Sequence, residues 1–190
     1  MPKIVDHDER RATIAAAAAE AIADEGIEQA TLKSIASRAG VTTGAVTHYF
    51  ADKDDVVLAA LLHADEAMRT RHDAALAVGR SPVDALLDAL PHDEVSRRDW
   101  LVWRTFSDAA IRSEFLRTQH RRSSARWLDT VTDAVAEWTC CTPDEARLDA
   151  EMVVAVVDAI GDAAAIDPGA WPIERQRSLL EHCLRRVLGD

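Results

Sequence analysis

At 190 residues the chain has room for one large domain or two small ones, and 48 % apolar side chains with seven Gly and six Pro point to an all-α protein with an ample core. A formal charge of −11 excludes a protein that coats nucleic acid by bulk attraction. No run approaches the ~20 apolar residues that span a bilayer, and the opening residues lack a secretory apolar stretch, so no membrane partner and a cytoplasmic location are expected.

Residues 8–25 read as a first helix, with Ile14, Ala17, Ala18, Ala21 and Ile22 on its buried stripe and Gly26 as its stop. Arg10 and Arg11 stand at its start, within reach of phosphates or simply solvated. Thr31 caps a second helix, in which Leu32, Ile35, Ala36 and Ala39 fall at i, i+3, i+4 and i+7. Gly40 ends it, and Val41 plugs the corner. Thr42 caps a third helix that turns Val46 and Phe50 inward and leaves Thr43, Ala45, Thr47 and His48 outside. A helix, a glycine turn and a second helix with a small polar outer face suit the major groove of DNA. Residues 1–55 nevertheless hold six Lys and Arg against ten Asp and Glu. Binding there has to rest on a few placed cations, helix N-termini and hydroxyls.

Asp52 caps a fourth helix reaching about Val78, with Asp54 and Asp55 in the first turn, where the helix dipole favours anions. Ser81 and Pro82 open a fifth, carrying Val83, Leu86, Leu87 and Leu90, and Pro91 closes it. A sixth runs from about Glu94 to Ala110, with Trp100, Trp103 and Phe106 along one side. A seventh runs from about Ser113 to Thr139, with Trp127, Val131 and Val135 on its apolar side. Thr142-Pro-Asp-Glu145 announces an eighth. It is expected to bury Leu148, Met152, Val153, Val156, Val157 and Ile160. After the loop 168–172, a ninth carries Leu180, Cys183, Leu184 and Val187. Cys140, Cys141 and Cys183 lack metal-ligand spacing, so neither a metal nor any other cofactor is expected. Motifs of the HExxH, GxSxG and phosphate-loop kinds are missing, so the chain does not read as an enzyme.

The pattern Ile35-Ala-x-x-Ala-Gly-Val-Thr-x-Gly-x-Val-x-x-Tyr-Phe-x-x-Lys53 resembles the DNA-binding signature of TetR-type transcriptional regulators. It departs at Thr47, where most of the family carries an aromatic residue. The run Thr-His-Tyr-Phe-x-Asp-Lys and the opening Met-Pro-Lys-Ile-Val-Asp are closer to the BetI-like subgroup. The resemblance implies a TetR-like, all-α architecture of about nine helices. A helix-turn-helix domain would occupy 1–52, and an effector-binding and dimerisation domain 53–190. Lys33, Thr42, Thr43, Gly44, Ala45, Thr47 and His48 would face the DNA, and Tyr49 and Lys53 would hold phosphates.

Behind the reader, Trp100, Trp103, Phe106, Trp127, Val131 and Met152 are expected around a small-molecule effector. Indole faces attract quaternary ammonium ions, which would suit a choline-like ligand; the alternative is that these aromatics fill space. Val153, Val156, Val157, Ile160, Ala164, Leu180, Leu184 and Val187 offer more apolar surface than one helical hairpin hides. They are expected at a homodimer interface, with small Ala155, Ala159, Gly161 and Ala163 allowing close approach; the alternative is intramolecular core. The function expected is that of a repressor on a palindromic double-stranded operator, released when the effector binds. The alternative is a small-molecule binding protein without regulatory DNA binding.

Overall fold

A computed structural model describes residues 7–188. Among them are nine helices and no strand: α1 (His7–Glu25), α2 (Leu32–Arg38), α3 (Thr43–Tyr49), α4 (Lys53–Ala77), α5 (Pro82–Ala89), α6 (Glu94–Arg112), α7 (Glu114–Thr139), α8 (Pro143–Ile166) and α9 (Ile173–Leu188). The ends fall within a residue or two of those read from the sequence, the usual scatter of helix boundaries.

The helices begin where the capping side chains stand. Thr31 Oγ1 accepts from Ser34 N–H at 3.1 Å, and Ser34 Oγ accepts from Thr31 N–H at 3.0 Å, a reciprocal box that starts α2. Thr42 Oγ1 accepts from Ala45 N–H at 3.1 Å and starts α3. Ser81 with Pro82 starts α5, and Thr142 with Pro143 and Glu145 starts α8. Each cap contributes roughly 1 kcal/mol against a helix end left to water. Gly40, at φ +65°, makes the turn from α2 to α3, a left-handed conformation that a side chain would strain.

Contacts divide the chain into two compact units. One comprises the chain up to Ala67 together with Leu101–Gln119; the other comprises Met68–Trp100 and the chain from His120 on. The N-terminal unit closes α1, α2 and α3 on Ile14, Ala18, Ile22, Ile35, Val46 and Phe50, joined by Val57 and Ala60 of α4. The alanines of α1 let its neighbours approach closely. A second cluster in the same unit gathers Leu61, Phe106, Ala110 and Leu116.

In the C-terminal unit α9 packs against α8 and α5. Buried polar ties fix this packing. Gln176 Nε2 donates to Pro91 O at 3.1 Å and to Trp171 O at 2.9 Å. Arg97 donates to Ala165 O from Nε and Nη2. Arg71 Nη1 pairs with Asp99 Oδ2 at 2.8 Å, a bridge largely shielded from water. The Trp100 indole lies directly over Gly161, and its Nε1 donates to Asp162 Oδ1 at 3.1 Å.

The expected interface residues require correction. Val153, Val157, Ile160, Ala164, Leu180 and Leu184 are buried within the single chain, so they are core and not a bare surface. Val156 is half-buried, and the Val187 side chain lies outside the described residues. Leu148 and Met152, expected to be buried, are 68 % and 50 % exposed. The reason is that α8 is apolar on two sides. At 3.6 residues per turn, Val153, Val157, Ile160 and Ala164 line one face, while Leu148, Met152, Ala155, Ala159 and Ile166 line the opposite one. The sequence pattern reveals both stripes without saying which the chain itself covers. Gly161, read as easing approach of a second copy, instead makes room for Trp100.

Candidate nucleic-acid interface

The outward face of α3 is built as its sequence required. Val46 and Phe50 are buried beneath it, whereas Thr43, Gly44, Thr47 and His48 are exposed, and Ala45 and Tyr49 are half-buried. Thr47 Oγ1 donates to Gly44 O at 3.1 Å, which leaves its methyl and an oxygen lone pair on the surface. Thr42 is exposed but spends its acceptor oxygen on the cap. A Cβ at Gly44 would stand 3.8 Å from Thr42 Oγ1, an ordinary contact, and without one the exposed first turn of α3 presents its backbone to solvent. Lys33 is exposed on α2.

Arg11, Arg38 and Lys53 are engaged within the protein. Arg11 Nη1 donates to Tyr49 O, a carbonyl at the C-terminal end of α3, and its guanidinium lies 4.3 Å from the centroid of the Phe50 ring. One helical turn earlier on α1, the His7 ring sits 4.6 Å from that of Tyr49, and His48 meets Tyr49 edge-on at 5.2 Å. Arg11 therefore braces the recognition helix instead of reaching freely for phosphate. Arg38 pairs with Asp24 at 2.8 Å and with Glu25 at 2.7 Å, so its charge is shared between two acids within the protein. Lys53 Nζ donates to Glu28 O at 3.1 Å, so the residue expected to clamp a phosphate also ties the start of α4 to the loop after α1.

Beside α1 and α4 runs a shallow groove of about 390 Å³, lined by Ala12, Ala15, Leu58, Ala59 and Leu62 together with acidic Asp8, Asp55 and Glu66 and basic Arg11 and His63. Sequence reading missed His7 and the bracing role of Arg11. Their i, i+4 spacing on α1 is visible in the chain, but nothing there shows that it meets the end of α3.

The expected effector residues are scattered in role. Trp103 and Phe106 pack in the N-terminal unit's second apolar cluster. Trp100, Trp127 and Val131 are buried in the C-terminal unit. Met152 is the one the geometry removes, because it belongs to the bare stripe of α8. His72, which the sequence offers only as a lone helical histidine without metal-ligand spacing to His63, is fully buried in the C-terminal unit beside Trp127.

Comparison with known proteins accords with this arrangement. Residues 14–60 match the model of the bacterial regulatory proteins of the tetR family, and residues 79–189 match that of the BetI-type transcriptional repressor C-terminal domain. The HTH-type transcriptional regulator PksA of Bacillus subtilis is 28 % identical, covering 96 % of this chain and 92 % of its own length. The HTH-type transcriptional regulator BetI of Escherichia coli K12 is 28 % identical over 99 % of this chain and 98 % of its own. The crystal structure of a Saccharomonospora viridis regulator in complex with choline has a TM-score of 0.78 at 20 % identity, covering 94 % of this chain and 96 % of that one, a likeness of fold. The chain belongs to the TetR family of DNA-binding transcriptional regulators. Within that family its C-terminal part is of the BetI type, as the Thr47–Lys53 run suggested.

Proposed function

We propose that this regulator acts as a homodimeric repressor whose two α3 helices grip a palindromic operator and which a small effector releases. The observation that carries the reading is the bare stripe of α8. Leu148, Met152, Ala155, Ala159 and Ile166 recur at spacings of three, four and seven on a helix whose other side is already buried. Leaving Leu, Met and Ile in water is unfavourable by about 25 cal/mol per Å² of apolar surface. A symmetric contact with a second copy covers such a stripe, and Ala155 and Ala159 at its middle let two helices come close.

One reader of this size covers only a few base pairs, and two readers about one DNA turn (~34 Å) apart supply the missing affinity. Thr43, Ala45, Thr47 and His48 then meet base edges, and Lys33, Gly44 and Tyr49 meet the backbone. Such work belongs in the cytoplasm, and no described helix is long and apolar enough to cross a membrane. Release follows if the effector binds the C-terminal unit more tightly in the arrangement of α4 that misplaces the readers. Choline is the first effector to try, because the S. viridis relative of this fold was crystallised with it and indoles favour such cations.

The test pairs sedimentation with a gel shift on the DNA flanking the protein's own gene. A dimer that shifts one fragment specifically, and lets go on adding the effector, is the expected result. A monomer, or binding indifferent to sequence, would overturn it.

A further inference from the structure

The buried face of α4 holds a polar atom that the packing leaves unanswered. His72 has no exposed surface. Its Nδ1 lies 3.0 Å from Ala85 O on α5. A backbone carbonyl only accepts, so Nδ1 carries the proton. Burial keeps the ring in its neutral form, pushing the imidazole below its ordinary pKa, against smaller opposing contributions from the Ala85 hydrogen bond and the Asp73 and Asp88 charges. In a neutral ring protonated at Nδ1, Nε2 is a bare lone pair. That atom is buried and has no hydrogen-bond partner in the protein. Beside it the Trp127 ring stands edge-on, 5.1 Å away at 78°, itself more than nine-tenths buried on α7.

We propose that His72 and Trp127 form the polar end of the effector site, and that the effector is a small molecule carrying an O–H or N–H that donates to His72 Nε2. The inference rests on the reading that the C-terminal unit binds an effector, and it narrows the class. A bare, buried lone pair cannot be satisfied by another acceptor or by a fully alkylated cation without a hydroxyl. A hydroxyl-bearing ammonium or a protonated amine satisfies it, with its apolar body against the indole. Choline qualifies through its single hydroxyl and not through its charge. Leaving a buried acceptor unpaired carries a penalty large enough to sort ligands by about tenfold or more.

The test titrates the full-length protein, followed by tryptophan fluorescence and thermal shift, with four probes: choline, choline methyl ether, trimethylammonium and tetramethylammonium. Choline is expected to bind at least about tenfold more tightly than its methyl ether, and trimethylammonium more tightly than tetramethylammonium. His72→Phe, which keeps an aromatic ring and removes the acceptor, should level both pairs. His72→Gln, whose amide oxygen can occupy the place of Nε2, should keep the preference even if the Phe variant folds poorly. In the wild type, the imidazole ¹⁵N resonance of Nε2 should move on adding the preferred probe.

Equal affinity within each pair, a preference that survives in His72→Phe, or no binding of any probe to the wild type would each overturn the assignment. A gel shift without ligand separates this from failure of the regulator reading. If the operator is still bound, the regulator stands and only the His72 site falls.

Discussion

Two short stretches of helix, both left uncovered by the chain, contrast sharply. α3 shows solvent Thr43, Gly44, Thr47 and His48, whereas α8 shows it Leu148, Met152, Ala155, Ala159 and Ile166. The first face is content in water and can exchange it for base edges and phosphates. The second is not, and only another apolar surface relieves it. This difference in character underlies the partners proposed above, a polar duplex for α3 and a copy of the same chain for α8.

The strongest way to probe this contrast is from the covered side of α8. A Cβ at Gly161 would stand 2.0 Å from Trp100 Cζ2, an overlap that a rigid indole cannot absorb. Gly161→Val should lower unfolding stability by roughly 3 kcal/mol, read by urea denaturation. In a Trp100→Leu background the same change should cost distinctly less. Equal losses in both backgrounds would show that the indole is not what demands glycine.

Next comes the bare side. Leu148→Lys combined with Met152→Lys should leave the monomer's melting behaviour nearly unchanged while converting dimer to monomer in sedimentation. Operator affinity should then fall by about 100-fold or more, the usual worth of linking two weak binding modules. A double variant that remains dimeric with wild-type affinity would move the interface elsewhere.

The reader allows a finer cut, between a cation that braces and a cation that touches DNA. Arg11→Gln should weaken operator binding about tenfold yet leave the slope of log K against log salt unchanged, because its guanidinium holds Tyr49 and Phe50. Lys33→Ala should weaken binding less and reduce that slope by about 1. Reversed slopes would make Arg11 the phosphate contact and Lys33 the bystander.

The smallest effect is a pH dependence confined to the C-terminal unit. Burial lowers the pKa of His72 in the folded state, so on acidification the unfolded chain takes up its proton first. Stability from this residue is complete above the ordinary histidine pKa and is lost as pH falls below it toward the folded value. His72→Phe should flatten that part of the stability profile, measured by thermal melts across the window.

These contrasts also mark where the sequence could be read and where it could not. The reader was legible because its signals are local. Thr31, Gly40 and Thr42 fix caps and turn, and Val46 with Phe50 fixes the inward side. The helices of the C-terminal unit were equally legible from Ser81-Pro82 and Thr142-Pro-Asp-Glu145. What the sequence withheld was choice among faces. On α8 both stripes satisfy helical periodicity, and only the placement of α9 and Trp100 decides that Val157 is covered and Met152 is not. Arg11 and His72 escaped for a related reason. Each owes its role to a partner far along the chain, Tyr49 in one case and Trp127 in the other.

The division of labour within α3 has a consequence for how such a protein changes over generations. Thr43 and His48 are exposed, while Val46 and Phe50, with half-buried Tyr49, anchor the helix below and Arg11 holds its end. Substitutions at the two outer positions therefore leave folding nearly untouched, so mutation can explore new target sites without first unfolding the protein. The same separation makes α3 a natural place to graft a different recognition code by design.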